Sequence, residues 1–208
     1  MVPREPIDTA DVPGGEPLRL FRRGEDYMIV LDRNELMNSR MSGSEEALAA
    51  MTCERLGPRK APHLLIGGYG MGFILAELVP KIIDWARGPM AALTAGCLDD
   101  PRVGLIIGDV GDAIDAGRGA YDAILLDVDN GPDGLTRAGN DGLYSHHGLA
   151  AARAALKPGG ILAIWSAAED KVFARRLGSP GFAVEEVAVR ARQNGKGPRH
   201  IIWFATKR

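Results

Sequence analysis

The sequence predicts an α/β domain: a mostly parallel sheet covered by helices, closed by a terminal antiparallel hairpin and preceded by a small β-meander. Three observations carry this. Short apolar runs, HLLIGG, VGLIIGD, YDAILLD and ILAIWSA, alternate with helix-forming stretches, as buried parallel strands joined by helices do. FAVEEVAVRA and HIIWFATK, joined by QNGKGPR, read as an antiparallel pair. Ahead of both, LRLFRR, YMIVLD and ELMNS are short extended segments separated by turn residues.

A chain of 208 residues fits one full domain with a small annex. Residues 1–17 are rich in Pro and Gly and predict a loose tail, residues 18–43 the meander, and residues 44–208 the main domain. In the main domain, Ser44 reads as a helix N-cap, with Glu45 and Glu46 in the first turn and Ala47, Leu48, Ala50 and Met51 behind them. Gly57, Pro58 and Pro62 break that helix before the strand HLLIGG. The KPGG before Ile161 stops the helix GLAAARAAL and turns the chain into the next strand. A further helix at Lys171–Leu177 precedes the hairpin.

Composition excludes several classes of function. A net charge of −2 with 25% charged residues offers no basic field for nucleic acid. No apolar run approaches the roughly 20 residues that cross a bilayer, and the N-terminus lacks the apolar core of a signal peptide, so a cytoplasmic protein with no membrane partner is expected. Cys53 and Cys97 lack CxxC spacing and sit in apolar helical patterns, which predicts buried thiols. His146 and His147, near Tyr144 and Ser145, have no supporting carboxylate or Cys at ligand spacing, so no metal site is expected.

The chemistry-bearing motif is Gly67-Gly68-Tyr69-Gly70-Met71-Gly72, which follows a strand and precedes a helical pattern. Glycines there let the backbone turn and approach a ligand, while the next helix presents free N–H groups. A turn without a ligand has the same glycines. Asp109 in IIGDV and Asp127 in ILLDVDN end later strands, where carboxylates of a parallel sheet face the ligand crevice. A strand-end turn or helix cap is the alternative reading of each. Trp165 and Ser166 end ILAIWSA, facing the same crevice or the core.

LLIGGYGMG, LDDPRVGLIIGD, YDAILLDVDNGPD and LKPGGILAI, in that order, resemble the spermidine synthase branch of class I S-adenosylmethionine-dependent transferases. The resemblance runs from about Leu18 to the C-terminus and implies a methyltransferase-like Rossmann fold. It implies that Gly67, Gly68 and Gly70 approach the amino-acid portion of S-adenosylmethionine or its decarboxylated form, that Glu77 binds ribose, and that Asp109, with Val110 beside it, meets adenine. It implies that Asp127 helps deprotonate the attacking nucleophile and that the protein is a homodimer; Asp129, in a stretch Val128-Asp129-Asn130 that differs from the family's Ser-rich pattern, is a second candidate to accept that proton. The acceptor is a small molecule; Tyr144, His146, Asn130 and Arg137 are candidates to line its pocket.

Two features depart from that family. Its diamine-reading Asp-Glu pair aligns with Met41 and Ser42 and its Tyr with Glu45, so the pocket for a dication is not reproduced. Between Gly72 and Glu77 stand only Phe73, Ile74, Leu75 and Ala76, whereas a parallel crossover takes about a dozen residues. Either FILAELVPKIIDWA is one helix bent at Pro80, with Glu77 inside it, or a segment normally present is missing. The leading reading is a transferase moving a methyl or aminopropyl group. A non-catalytic scaffold with an incomplete site is the alternative, and a nicotinamide dehydrogenase is disfavoured because GGYGMG lacks the G-x-G-x-x-G spacing.

Overall fold

The computed structural model describes residues 2–12, 14–68, 76–77, 79–128 and 141–208. Four antiparallel strands open the chain: β1 (Glu5–Ala10), β2 (Leu18–Arg23), β3 (Asp26–Leu31) and β4 (Asn34–Asn38), paired in sequence order. Gly24, at φ +61, makes the tight β2–β3 turn possible. Residues 5–10, expected in a loose tail, are therefore a strand. The Asp8 carboxylate accepts a 2.9 Å hydrogen bond from Trp85 Nε1, and Ala10 joins the core beneath, so pairing and burial together offset the ordering entropy.

The main sheet has the order β10-β11-β9-β8-β5-β6-β7. Its parallel strands are β5 (Leu64–Gly67), β6 (Ala76–Glu77), β7 (Ile106–Ile107), β8 (Tyr121–Leu126) and β9 (Leu156–Ser166). β10 (Phe182–Arg190) and β11 (Arg199–Lys207) form the antiparallel hairpin, with β11 paired to β9. The helices are α1 (Gly43–Leu56), α2 (Pro80–Arg87), α3 (Ala91–Thr94), α4 (Val110–Ala116), α5 (Asp141–Tyr144), α6 (His146–Ala155) and α7 (Lys171–Gly178). VGLIIGD yields only a two-residue strand at the sheet edge, with Ile106 and Ile107 exposed.

Strand alternation divides the core. Leu65, Ile124, Leu126, Leu162 and Ile164 meet α4, α6 and α7 on one face. Ala123, Leu125, Ile161, Ala163, Trp165, Ile202 and Phe204 meet Leu48 of α1 on the other. A third cluster joins Leu18, Leu20 and Ile29 of the meander to Val79, Ile82, Ile83 and Trp85 around α2.

Several local expectations are corrected. Ser44 is not the cap: the N-cap is Ser42, and the fully buried Ser44 hydroxyl lies 2.9 Å from His200 Nδ1. α2 begins at Pro80, whose missing N–H costs nothing in a first helical turn, so no helix runs through Glu77, which stands in β6. Cys53 is exposed and Cys97 half-buried, because the buried face of α1 is Ser44, Leu48 and Thr52, spaced i, i+4, i+8, and Cys53 falls one position past it. The residues KPGG do end α6 but lie within β9, looped out against β8 where the register moves from Tyr121–Leu156 to Ala123–Ile161.

Asp122 ties the lower ends of three strands. It accepts hydrogen bonds from the His63 amide (2.9 Å), Lys157 Nζ (2.6 Å) and Arg59 Nη1 (2.7 Å). The His63 amide, then Lys157 and Arg59, hold its carboxyl far below the usual carboxylate range.

Candidate functional site

The carboxyl ends of β5, β6 and β8 bring Gly67, Gly68, Glu77 and Asp127 to one edge of the sheet, with Asp109 just after β7. Gly67 has no space for a side chain: a Cβ there would sit 2.8 Å from Val110 Cγ2, so buried Val110 packs directly on the turn. Gly68 lies at φ +90, with the Asp127 carbonyl 2.5 Å from where its Cβ would be. The Asp127 amide in turn donates to the Gly67 carbonyl at 3.1 Å. The end of β8 and the glycine turn are therefore held in mutual contact.

Glu77 is buried, and one of its carboxylate oxygens accepts from the Val79 amide at 2.8 Å. Half-buried Asp109 is the N-cap of α4, accepting from Gly111 N at 2.8 Å. The helix-cap reading of Asp109 is the one the structure shows. Gly70, Asp129, Asn130 and Arg137 lie outside the described residues.

Asp127 differs from Asp122 on the same stretch of chain. It is 8% exposed, and among the described residues its carboxylate has no hydrogen-bond donor and no cationic partner. Burial raises its pKa from 3.8 to about 7. Asp127 follows Ala123 and Leu125 at alternate positions, so it faces α1. Glu45 lies three residues before Leu48 on the α1 face turned to the same sheet. Burial, then the charges of Asp127 and Glu46, push the Glu45 pKa well above 4.5. On the next two strands, Trp165 of β9 and His200 of β11 stack edge to face, with ring centroids 4.7 Å apart, and burial lowers the His200 pKa. Trp165 Nε1 is buried without a hydrogen-bond partner among the described residues.

Glu45 and His200 were not singled out by motif. The available signal was α1 periodicity: Glu45 sits beside the Ser44–Leu48–Thr52 stripe, where a solvated first-turn acid is the usual reading. Tyr144, expected on a crevice loop, is instead buried, edge to face with Phe173, and its hydroxyl donates to the Val128 carbonyl at 3.2 Å. His146 opens α6 and is exposed, its Nδ1 2.9 Å from Ser179 Oγ.

No known family model matches the chain. It is 35% identical over 91 residues to the polyamine aminopropyltransferase of Nitrosomonas europaea, covering 44% of this chain and 26% of that protein. It is also 35% identical over 97 residues to the enzyme of the same name from Mycobacterium tuberculosis, covering 44% of this chain and 17% of that one. The match thus spans about a quarter or less of each relative's length. Spermidine synthase from Thermotoga maritima superimposes with a TM-score of 0.75 at 21% identity, over 98% of this chain and 73% of that one. The chain shares the fold of spermidine synthase. A spermidine synthase solved with the transition-state analogue AdoDATO gives a TM-score of 0.74 at 20% identity, covering 98% of this chain and 73% of that one. A Burkholderia thailandensis N1-methyltransferase carrying S-adenosylhomocysteine gives 0.52 at 16%, covering 80% and 79%. The spermidine synthase-like architecture is thus a class I methyltransferase-like fold with a four-stranded N-terminal meander. Among the described residues no helix is long and apolar enough to cross a membrane.

Proposed function

We propose that the chain binds S-adenosylmethionine or decarboxylated S-adenosylmethionine at the carboxyl ends of β5, β6 and β7, and transfers a methyl or aminopropyl group to a small nucleophile. The observation that carries this is Asp127, a buried carboxylate without a partner among the described residues, in contact through its backbone with the glycine turn. A structural carboxylate at that depth is normally paired, as Asp122 is, and an unpaired one poised near neutrality suits proton transfer. The carboxylates at the tip of β6 and after β7 suit the hydroxyl and amino donors of an adenosyl group.

In this reading Gly67, Gly68 and Gly70 lie along the amino-acid portion, Glu77 takes the ribose hydroxyls, and Asp109 and Val110 hold adenine. The bound sulfonium supplies an electrophilic carbon and a neutral thioether leaving group. Asp127, aided by Asp129, takes the proton that the acceptor loses as its lone pair displaces the thioether. Positioning is the larger part of the work. Residues 44–208 form the adenosyl-binding domain and residues 18–43 an annex, with a homodimer as the assembly.

Calorimetric titration with S-adenosylmethionine, its decarboxylated form, methylthioadenosine and NAD tests the reading. Binding of an adenosyl-sulfur ligand is expected; silence from all of them at millimolar concentration overturns it. Asp109→Asn keeps the α4 cap, since Asn caps as well as Asp, but presents the wrong group to an adenine amine. It should weaken donor binding about tenfold at unchanged Tm, the loss of one hydrogen bond to a charged group. Unchanged affinity would remove Asp109 from the donor site.

A further inference from the structure

The transferase reading leaves the acceptor unnamed, and one side chain beside Asp127 bears on it. The chain has three tryptophans, and two have their indole N–H taken up: Trp85 donates to Asp8 at 2.9 Å and Trp203 to Glu186 at 2.8 Å. Trp165 is 7% exposed, and its Nε1 has no hydrogen-bond partner among the described residues. A buried donor left unpaired is costly, and in a native fold it calls for an occupant.

Ladder register places that donor. The last β8–β9 pair is Leu126 with Ile164, in parallel, so the next positions along the two strands are Asp127 and Trp165. Neighbouring strands run about 4.8 Å apart, and the two residues follow Leu125 and Ala163 at alternate positions onto the α1 face. Among the described residues, Asp127 is thus an acceptor without a donor, next to a donor without an acceptor, and the two do not bond each other.

The indole is braced from the side of β11. Its ring stands edge to face against His200, with centroids 4.7 Å apart and planes at 75°, and His200 Nδ1 lies 2.9 Å from Ser44 Oγ in the first turn of α1. Ser44 is fully buried and its hydroxyl has no other acceptor among the described residues, so it donates to Nδ1 and the proton of a neutral ring sits on Nε2. Burial favours the same neutral ring. The brace therefore brings no cation toward Asp127.

What fits such a pair is a molecule presenting an N–H to Asp127 and an oxygen lone pair to Trp165, with the two atoms close together. A diamine has N–H groups at both ends and offers the indole nothing. A carboxylate would add a second negative charge beside Asp127 without a cation to offset it, whereas a neutral carbonyl accepts the indole hydrogen bond without that cost. Resting on the transferase reading, we propose that the acceptor is an α-amino amide, its amine nitrogen at Asp127 and its carbonyl oxygen at Trp165 Nε1. The nitrogen gives one proton to Asp127 as its lone pair forms the new N–C bond, and the S–C bond breaks with its electron pair left on sulfur.

Three amines test this, each offered with the donor that the titration identifies: glycinamide, 2-methylpropylamine, which keeps the branched outline without the carbonyl, and 1,4-diaminobutane. In the unaltered protein with donor bound, glycinamide should move the Trp165 indole N–H resonance to lower field and leave those of Trp85 and Trp203 in place. The other two amines should produce no such shift. Trp165→Phe assigns the resonance, and Trp85→Phe and Trp203→Phe assign it by elimination if that variant fails to fold. The ratio of kcat/KM for glycinamide to that for 2-methylpropylamine should fall about tenfold in Trp165→Phe, the loss of one hydrogen bond. Comparing the ratio between two proteins cancels the unequal basicity of the amines. A Trp165 resonance unmoved by glycinamide, an equal shift with 1,4-diaminobutane, an unchanged ratio in Trp165→Phe, or donor binding without turnover of glycinamide overturns this proposal alone. Absence of donor binding sinks the transferase reading and this inference with it.

Discussion

Asp127→Asn should lower kcat by about 10² to 10⁴, the usual contribution of a positioned general base, while making the fold more stable at alkaline pH. The two effects have one cause. Burial favours the neutral carboxyl and lifts its pKa from 3.8 to about 7. Below pH 3.8 the group is protonated in folded and unfolded chains alike and carries no penalty. As the pH climbs to about 7 the unfolded chain releases its proton first, so folding stability falls, and above about 7 the folded chain holds a desolvated charge. Asparagine removes that charge, so at about 1.4 kcal/mol per pKa unit the gain should be up to about 4 kcal/mol at pH 8, or about 8–16 °C in Tm for a domain of this size, and should shrink toward zero near pH 4. Thermal melts of the two proteins at both pH values, with turnover measured alongside, check it. An Asn variant less stable at pH 8 would mean that Asp127 has a stabilising partner. In the unaltered protein kcat/KM should rise as pH passes through about 7.

The order of strands and helices was legible because burial leaves a periodic trace. Within YDAILLD the run from Ala123 to Leu126 is apolar without alternation, since β8 is covered on both faces there, and KPGG marks the end of α6. Pro80 was legible as an interruption but ambiguous in kind: a kink and a first-turn proline have the same sequence, and tertiary packing of α2 on the meander decides between them. β1 was hidden because four of its six residues are polar or proline, and its hold comes from one ladder and the distant Trp85. In the candidate site, Asp109, Asp127 and the glycines could be read from their places after strands. Glu45 could not. Its meaning depends on α1 crossing the end of β8, which brings residues far apart in sequence together and is not encoded in any local pattern.

Gly68→Ala should cost more at the donor site than removal of any single hydrogen bond. Gly68 is at φ +90, where an L side chain is strained by about 1–3 kcal/mol, and its Cβ would stand 2.5 Å from the Asp127 carbonyl oxygen. That obstacle is backbone in a strand already bonded to Gly67, so it cannot rotate aside as a side-chain tip would. The turn must move away from β8, and with it both the glycine loop and the backbone that aims Asp127. We expect donor affinity to fall by about a hundredfold or more and turnover to fall with it, since misplacing reacting groups by about 1 Å costs about that much in rate. Gly24→Ala is the matched comparison: it also has positive φ, at +61, but open space around its Cβ and a place in the β2–β3 turn, so it should lower Tm by the strain alone and leave donor affinity unchanged. Equal effects of the two substitutions on donor binding would mean that positive φ, and not the contact between the glycine turn and β8, accounts for the loss.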